Sequence, residues 1–209
     1  YHNKPGAYLE FDDVYKILHA YGMPLVNSYT ATEPDGVLEA AARMKYPVVI
    51  KASGKKLIHK SDMGGVEIDI HTEAELIKAI GRINESLKAK KMSSEFEKFI
   101  IQPYIAGGVE TILGITRDEK AGHMIMFGLG GIFVEVFKDV NFKLVPISDE
   151  EAMRMIQAIK SYEILTGARG RKSVNIDFIM ESLLRLSQLS EDFPVFKEID
   201  LNPFVFFDE

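Results

Sequence analysis

Between residues 109 and 145 the chain reads as four strand-like segments, 109–115, 123–127, 132–138 and 141–145. Turn signals at 118–122, at 128–131 and at Asp139 separate them. An antiparallel meander is the simple arrangement for strands joined in this way. That stretch commits the second half of the chain to a sheet, and the helical segments around it must then cover the sheet.

Those helices are legible from their periodicity. Phe11, Val14, Tyr15, Leu18 and Tyr21 recur at helical spacing over 8–21, and Gly22 and Pro24 end the run. Thr32 and Asp35 mark a second start, followed by the apolar face of Val37, Leu38, Ala41 and Ala42. Thr72 and Glu75 form a capping-box pattern ahead of Leu76, Ala79, Ile80, Ile83 and Leu87. Ser148 and Glu151 repeat that pattern before a helix to about residue 160, and a further helix covers roughly 177–190. Strands are expected at 25–29, 47–52, 66–70, 98–104 and 195–201, and residues 202–209 read as a strand stopping without a partner. The expected architecture is α+β in two lobes, with the break near 102–108.

The chain has 209 residues, 46% hydrophobic and 27% charged, which fits a folded globular protein. A formal charge of -6 argues against general nucleic-acid or anionic-membrane binding, since both need a basic face. There is no cysteine, so there is neither a disulfide framework nor a thiol nucleophile. No apolar stretch approaches the length of a membrane span, and a cytoplasmic enzyme is the default reading. The chain begins at Tyr1, and a fragment or domain of a longer chain is expected.

Positive charge is local. Lys51 closes an apolar strand, and the loop beyond it carries Gly54, Lys55, Lys56 and the run His59-Lys60-Ser61-Asp62-Met63-Gly64-Gly65-Val66. Phosphate needs such ingredients: cations to neutralise it and glycines that admit backbone N–H groups. Lys51, Lys60, Gly64 and Gly65 are therefore candidate phosphate-binding residues. A neutral imidazole titrates near pH 7 and is nucleophilic, so His59 is the candidate catalytic residue, able to hold a phosphoryl group. The bland readings are a snorkelling Lys51 and an exposed loop His59. His2, His19, His71 and His123 have no comparable surroundings.

Glu198, Asp200 and Asn202 alternate along one strand, so all three share a face opposite Ile199 and Leu201. Oxygen donors on one rigid face suit Mg²⁺, which takes one or two carboxylate-type ligands together with phosphate oxygens. Gly128-Leu129-Gly130-Gly131 lies between two strands, so it fails the context of a dinucleotide fingerprint and reads as a close backbone approach. Glu110 is either a contact to a ribose or cation, or an exposed strand glutamate. Gln102-Pro103-Tyr104 falls at the expected break between the lobes.

Taken together, these residues resemble the ATP-grasp family, and within it the nucleotide-binding β subunit or domain of NDP-forming acyl-CoA synthetases. The carrying motifs are Tyr46-Pro47-Val48-Val49-Ile50-Lys51, the histidine run, the glycine-containing run from Phe127 to Val140, and Glu198-Ile199-Asp200-Leu201-Asn202-Pro203. The resemblance implies a two-lobed ATP-grasp fold with nucleotide bound between a smaller lobe of about 21–102 and a larger lobe of 1–20 plus 103–209. It implies ATP/ADP and Mg²⁺ as cofactors, His59 as the phosphohistidine, Lys51 on phosphate, and Asn202 with Asp200 on the metal. Gln102, Tyr104 and Glu110 join the nucleotide-binding set. It also implies a partner, a CoA-binding α subunit or fused domain that handles the acid and acyl-CoA, in a hetero-oligomer or fusion dimer. The expected reaction is acyl-CoA, phosphate and ADP giving acid, CoA and ATP. A stand-alone carboxylate ligase working through an acyl phosphate, or a non-catalytic ATP-binding domain, are the alternatives, and His59 discriminates among them.

Overall fold

The computed structural model describes residues 8–54, 57, 63–131, 138–167 and 172–207. In these residues the chain runs through α1 (Phe11–Ala20), β1 (Tyr29–Ala31), α2 (Pro34–Met44), β2 (Val48–Ser53), β3 (Val66–Ile70), α3 (Glu73–Ala89) and β4 (Lys98–Pro103). It continues through β5 (Val109–Asp118), β6 (Gly122–Leu129), β7 (Val140–Leu144), α4 (Asp149–Gln157), the single turn α5 (Tyr162–Leu165), α6 (Ile176–Asp192) and β8 (Glu198–Phe206). Two compact units result: Tyr1–His19 with Pro24–Ala106, and Ala20–Met23 with Gly107–Glu209. The sequence reading grouped residues 1–20 with 103–209; in the structure α1 through His19 clusters with the first unit, where Lys98 Nζ reaches Asp12 at 3.0 Å.

The first unit is an antiparallel sheet in the order β1-β4-β2-β3. On β2 the side chains alternate, so Val48, Ile50 and Ala52 enter a core shared with Val37 and Ala41 of α2 and Leu76, Ala79, Ile80 and Ile83 of α3. Thr72 Oγ1 accepts the Glu75 N–H at 3.2 Å, as the capping pattern requires. The Glu75 carboxylate returns the bond one residue early, to the His71 N–H at 2.8 Å. A two-pronged pair from Arg82 to Glu67, at 2.8 and 2.7 Å, ties α3 to β3.

Two expectations shift here. The strand expected at 25–29 forms at Tyr29–Ala31, because its register is set by the Phe99–Ile101 stretch of β4 and not by local apolarity. Helix α2 starts at Pro34 with Glu33 as a cap that makes no side-chain bond, in place of a start at Thr32. Proline suits the first helical position, where an N–H would be unpaired in any case.

The second unit is an antiparallel sheet in the order β7-β6-β5-β8. The segments expected at 109–115, 123–127 and 141–145 form β5, β6 and β7, and β8 joins them; the strand expected at 132–138 lies, but for Lys138, outside the described residues. Leu113 and Ile115 of β5 and Ile125, Phe127 and Leu129 of β6 are buried, as are Ala152, Met155 and Ile156 of α4 and Ile179, Leu183 and Leu186 of α6, the two helices packed on this sheet. Ser148 and Glu151 complete a full capping box at the start of α4. That helix ends at Gln157, short of residue 160, because Asp139 captures the backbone N–H groups of Lys160 and Ser161 at 2.7 and 2.8 Å.

The final strand differs most from expectation. Residues 204–206 do have a partner: Phe204 faces Thr111 and Phe206 faces Val109. The pairing passes from Leu113↔Leu201 to Thr111↔Phe204, so Asn202 and Pro203 together oppose Ile112 in a β-bulge. The extra residue inverts the side-chain alternation. Glu198, Asp200 and Asn202 are exposed, while Phe204 and Phe206 are buried, with the Phe206 ring edge-on to Phe178 of α6.

Candidate functional site

The face of the second sheet opposite α4 and α6 carries the acidic strand residues. Gly114 pairs with Asp200 on one side and Met126 on the other, and Met126 pairs with Phe142. Thr116 stands opposite Glu198. These residues, with Ile112, Val140, Lys138 and Asn202, line an open hollow of about 540 Å³. Gly114 keeps this floor low: a Cβ there would lie 2.9 Å from the Ile199 carbonyl oxygen and 3.3 Å from Met126 Cε. Glu110 lies further along the same face of β5, exposed, and its carbonyl accepts the Gly130 N–H at 2.8 Å.

The hollow is chemically divided. Glu198, Asp200 and Asn202 put hard oxygen donors along β8, while Met126, Val140 and Phe142 make the β6–β7 side apolar. Among the described residues no group of three or more His, Cys, Asp or Glu converges as a metal cage. That set fits Mg²⁺ better than Zn²⁺ or Ca²⁺: Mg²⁺ uses few protein oxygens and completes its shell with water and phosphate. Asp200 and Asn202 lie on one exposed face of β8 and both line the hollow, and a carboxylate with a neighbouring amide is donor chemistry that Mg²⁺ accepts.

Behind one rim of the hollow, Asp139 is 5% exposed. Besides the two backbone donors, the Ser161 hydroxyl donates to its carboxylate. Burial alone would push this carboxyl up; the Ser161 hydroxyl, the two N–H groups and the Lys160 charge outweigh it and hold it below the usual carboxylate range. Gly128 lets this segment come close, since a Cβ there would sit 2.6 Å from the Asp139 carbonyl oxygen. The glycine run is thus a close backbone approach, and Gly131 adds a left-handed turn with φ of 59°.

In the first unit, Lys51 pairs with Val66 and Ile100, and Gln102 pairs with Val49. Strand alternation puts Lys51 and Gln102 on the same face, opposite the α2–α3 core. Gln102 Nε2 donates to Ser28 Oγ at 2.8 Å, and the Tyr104 N–H donates to the Pro47 carbonyl at 2.9 Å. Both ends of the loop after β2 are secured. Leu57 is buried in the core and its N–H donates to the Gly54 carbonyl at 3.0 Å. Ser86 Oγ donates to the Met63 carbonyl at 2.6 Å, Gly64 has φ of 64°, and the Gly65 carbonyl accepts the Ala52 N–H at 2.7 Å.

His59 and Lys60 lie outside the described residues, as do Lys55, Lys56, Ser61 and Asp62. Of the other histidines, His123 Nε2 donates to the Phe196 carbonyl at 2.7 Å and His71 Nε2 lies 2.9 Å from Asp69. Both have structural partners. Sequence reasoning missed Gly114, Thr116, Met126, Lys138 and Phe142. Period-two alternation along β5, β6 and β7 was the available signal, and cross-strand register was needed to turn it into one surface.

The ATP-grasp domain family matches residues 2–209. The acetate–CoA ligase [ADP-forming] II subunit beta of Pyrococcus furiosus is 41% identical over 189 residues, covering 90% of this chain and 80% of that one. The 4-hydroxybutyrate–CoA ligase [ADP-forming] of Nitrosopumilus maritimus is 42% identical over 188 residues, again 90% of this chain but 27% of that longer protein. Among solved structures, Ca. Korarchaeum cryptofilum dinucleotide forming acetyl-coenzyme A synthetase 1, in complex with coenzyme A, Ca-AMPCP and HgCl+, superposes with a TM-score of 0.91 at 35% identity. The match covers 100% of this chain and 90% of that one. A second structure of that protein holds coenzyme A and Mg-AMPPCP with its phosphohistidine segment pointing towards the nucleotide binding site; it matches at a TM-score of 0.77 and 34% identity, covering 96% and 86% of the two chains. No helix in the described residues is long and apolar enough to cross a membrane. With a domain match over nearly its whole length and relatives of this similarity, the chain belongs to the ATP-grasp family, among the β parts of ADP-forming acyl-CoA synthetases.

Proposed function

We propose that this chain passes a phosphoryl group between a histidine and a nucleoside diphosphate, with His59 as the carrier. The observation that carries the reading is the hollow on the second sheet, where Asp200 and Asn202 stand on one face of β8 above the side-chain-free Gly114. In the ATP-forming direction the N–P bond of phospho-His59 breaks, with its electron pair remaining on the ring. An oxygen of the ADP β-phosphate forms the new P–O bond. The ring leaves best when its second nitrogen is protonated, because it then departs as neutral imidazole.

The chain's own residues supply position and charge. Lys51 and Lys60 neutralise phosphate oxygens, and Gly64 and Gly65 admit backbone N–H groups to them. Gln102, Tyr104 and Glu110 are assigned to the nucleotide. Asp200 and Asn202 would hold Mg²⁺, which supplies neutralisation of the charge that builds on the transferring phosphoryl group. A CoA-binding α partner, separate or fused, would load His59 from acyl phosphate chemistry on its own surface. The acid and acyl-CoA are handled there, and the nucleotide and CoA pools of the cytoplasm suit the reaction.

The test runs the transfer backwards. Incubation with γ-labelled ATP and Mg²⁺ should leave acid-labile, base-stable label on the protein, and His59→Ala should abolish it. An unlabelled wild-type protein that nevertheless binds the nucleotide would instead support a carboxylate ligase working through an acyl phosphate.

A further inference from the structure

The hollow on the second sheet presents both signs of charge. Glu198 and Asp200 line it from β8, and Lys138 is the cation among its described lining residues. A bare metal ion would be drawn to the carboxylates and repelled by the lysine. A bare anion would meet the reverse. A metal–phosphate complex satisfies both, its cation towards β8 and its phosphate oxygens towards the ammonium. We propose that Lys138 is a phosphate-binding residue of this site, a role that rests on the reading that the hollow takes a Mg²⁺-nucleotide.

The backbone supports the assignment. Lys138 has φ of 48°, a left-handed conformation for which glycine is the default residue. Its neighbours set that geometry. The Lys138 carbonyl accepts the Val140 N–H at 3.0 Å, Asp139 is held by Lys160 and Ser161, and Gly128 lies close against the Asp139 carbonyl. A lysine at a glycine-type position is thereby held at the rim by a buried clamp directly behind it. Its side chain is exposed, and it forms no ion pair with another described residue.

The test uses calorimetry of ADP with Mg²⁺ on the intact chain, comparing wild type, Lys138→Gly, Lys138→Met and Lys138→Arg. Lys138→Gly removes the cation while easing the backbone, so it keeps the fold. Loss of one charge-assisted hydrogen bond predicts about tenfold or greater weakening in the Gly and Met variants, with affinity largely restored in the Arg variant. Adenosine, which lacks phosphate, should bind all four proteins alike. Unchanged Mg²⁺-ADP affinity in Lys138→Gly, or equal losses for ADP and adenosine, overturns the role of Lys138 and leaves the wider reading standing. A wild-type protein that binds no Mg²⁺-ADP overturns both.

Discussion

Ser86 on α3 donates its hydroxyl to the Met63 carbonyl at 2.6 Å, and the same oxygen would lie 2.5 Å from a Cβ built on Gly64. One side chain thus anchors the end of the histidine loop and forbids a larger residue beside it. Gly64→Ala should destabilise the protein by about 1–3 kcal/mol, through positive φ and the clash together. Ser86→Ala should cost about 1 kcal/mol for the lost bond. The double variant should cost less than the sum, because the hydroxyl that collides has gone. Urea denaturation of the four proteins measures this; strict additivity would mean the two residues do not interact.

Asp139 makes the second unit sensitive to acid. Its folded carboxyl titrates below its unfolded value, so its contribution is fully present above the ordinary carboxylate range, near pH 4, and disappears as pH falls through the lowered value. Asp139→Asn presents an amide where three donors converge and should cost about 2–3 kcal/mol at pH 7. Its penalty should shrink towards pH 3 in melting experiments. A penalty independent of pH would show that the carboxylate charge is unimportant.

Tyr21 donates its hydroxyl to Asp192, and Arg185 donates to the Gly22 carbonyl, so residues 20–23 are held on α6. The hydrogen bond to Asp192, with burial and the carboxylate charge, pushes the Tyr21 phenol up to about 12. A raised folded value means that its stabilisation holds below the normal phenol range, near pH 10, and is lost as pH rises through about 12. Absorbance titration should show a tyrosine ionising near pH 12, and Tyr21→Phe should remove that step. A normal titration in the wild type would contradict the bond.

Asn202 and Asp200 should set the metal requirement. Asn202→Ala is expected to raise the Mg²⁺ concentration for half-maximal labelling from ATP by about tenfold or more, with Asp200→Asn acting in the same direction. Labelling of His59 at varied Mg²⁺ is the measurement. Unchanged Mg²⁺ dependence in both variants would remove these residues from the metal site.

Gly114→Val should narrow the hollow at Asp200, since even a Cβ meets the Ile199 carbonyl. The expected result is weaker Mg²⁺-ADP binding with a destabilisation of about 1–3 kcal/mol from overpacking. Calorimetry and melting on the same sample separate the two effects, and full affinity in the variant would place the nucleotide elsewhere.

Local chemistry wrote much of this protein into its sequence. Helical periodicity located α1, α3, α4 and α6, and the capping residues Thr72 and Ser148 marked two of their starts. Alternation placed Glu198, Asp200 and Asn202 on one face before any partner strand was known, because side-chain direction in a strand depends only on parity. Tertiary structure decided the rest. Register brought Gly114 opposite Asp200 and Met126 opposite Phe142, and the bulge at Asn202 and Pro203 let one strand face the hollow with its carboxylates and the core with Phe204 and Phe206. Lys138 entered the site through long-range bonds of Asp139 to a turn more than twenty residues away. Such pairings depend on which distant groups meet, and a linear pattern carries no record of that.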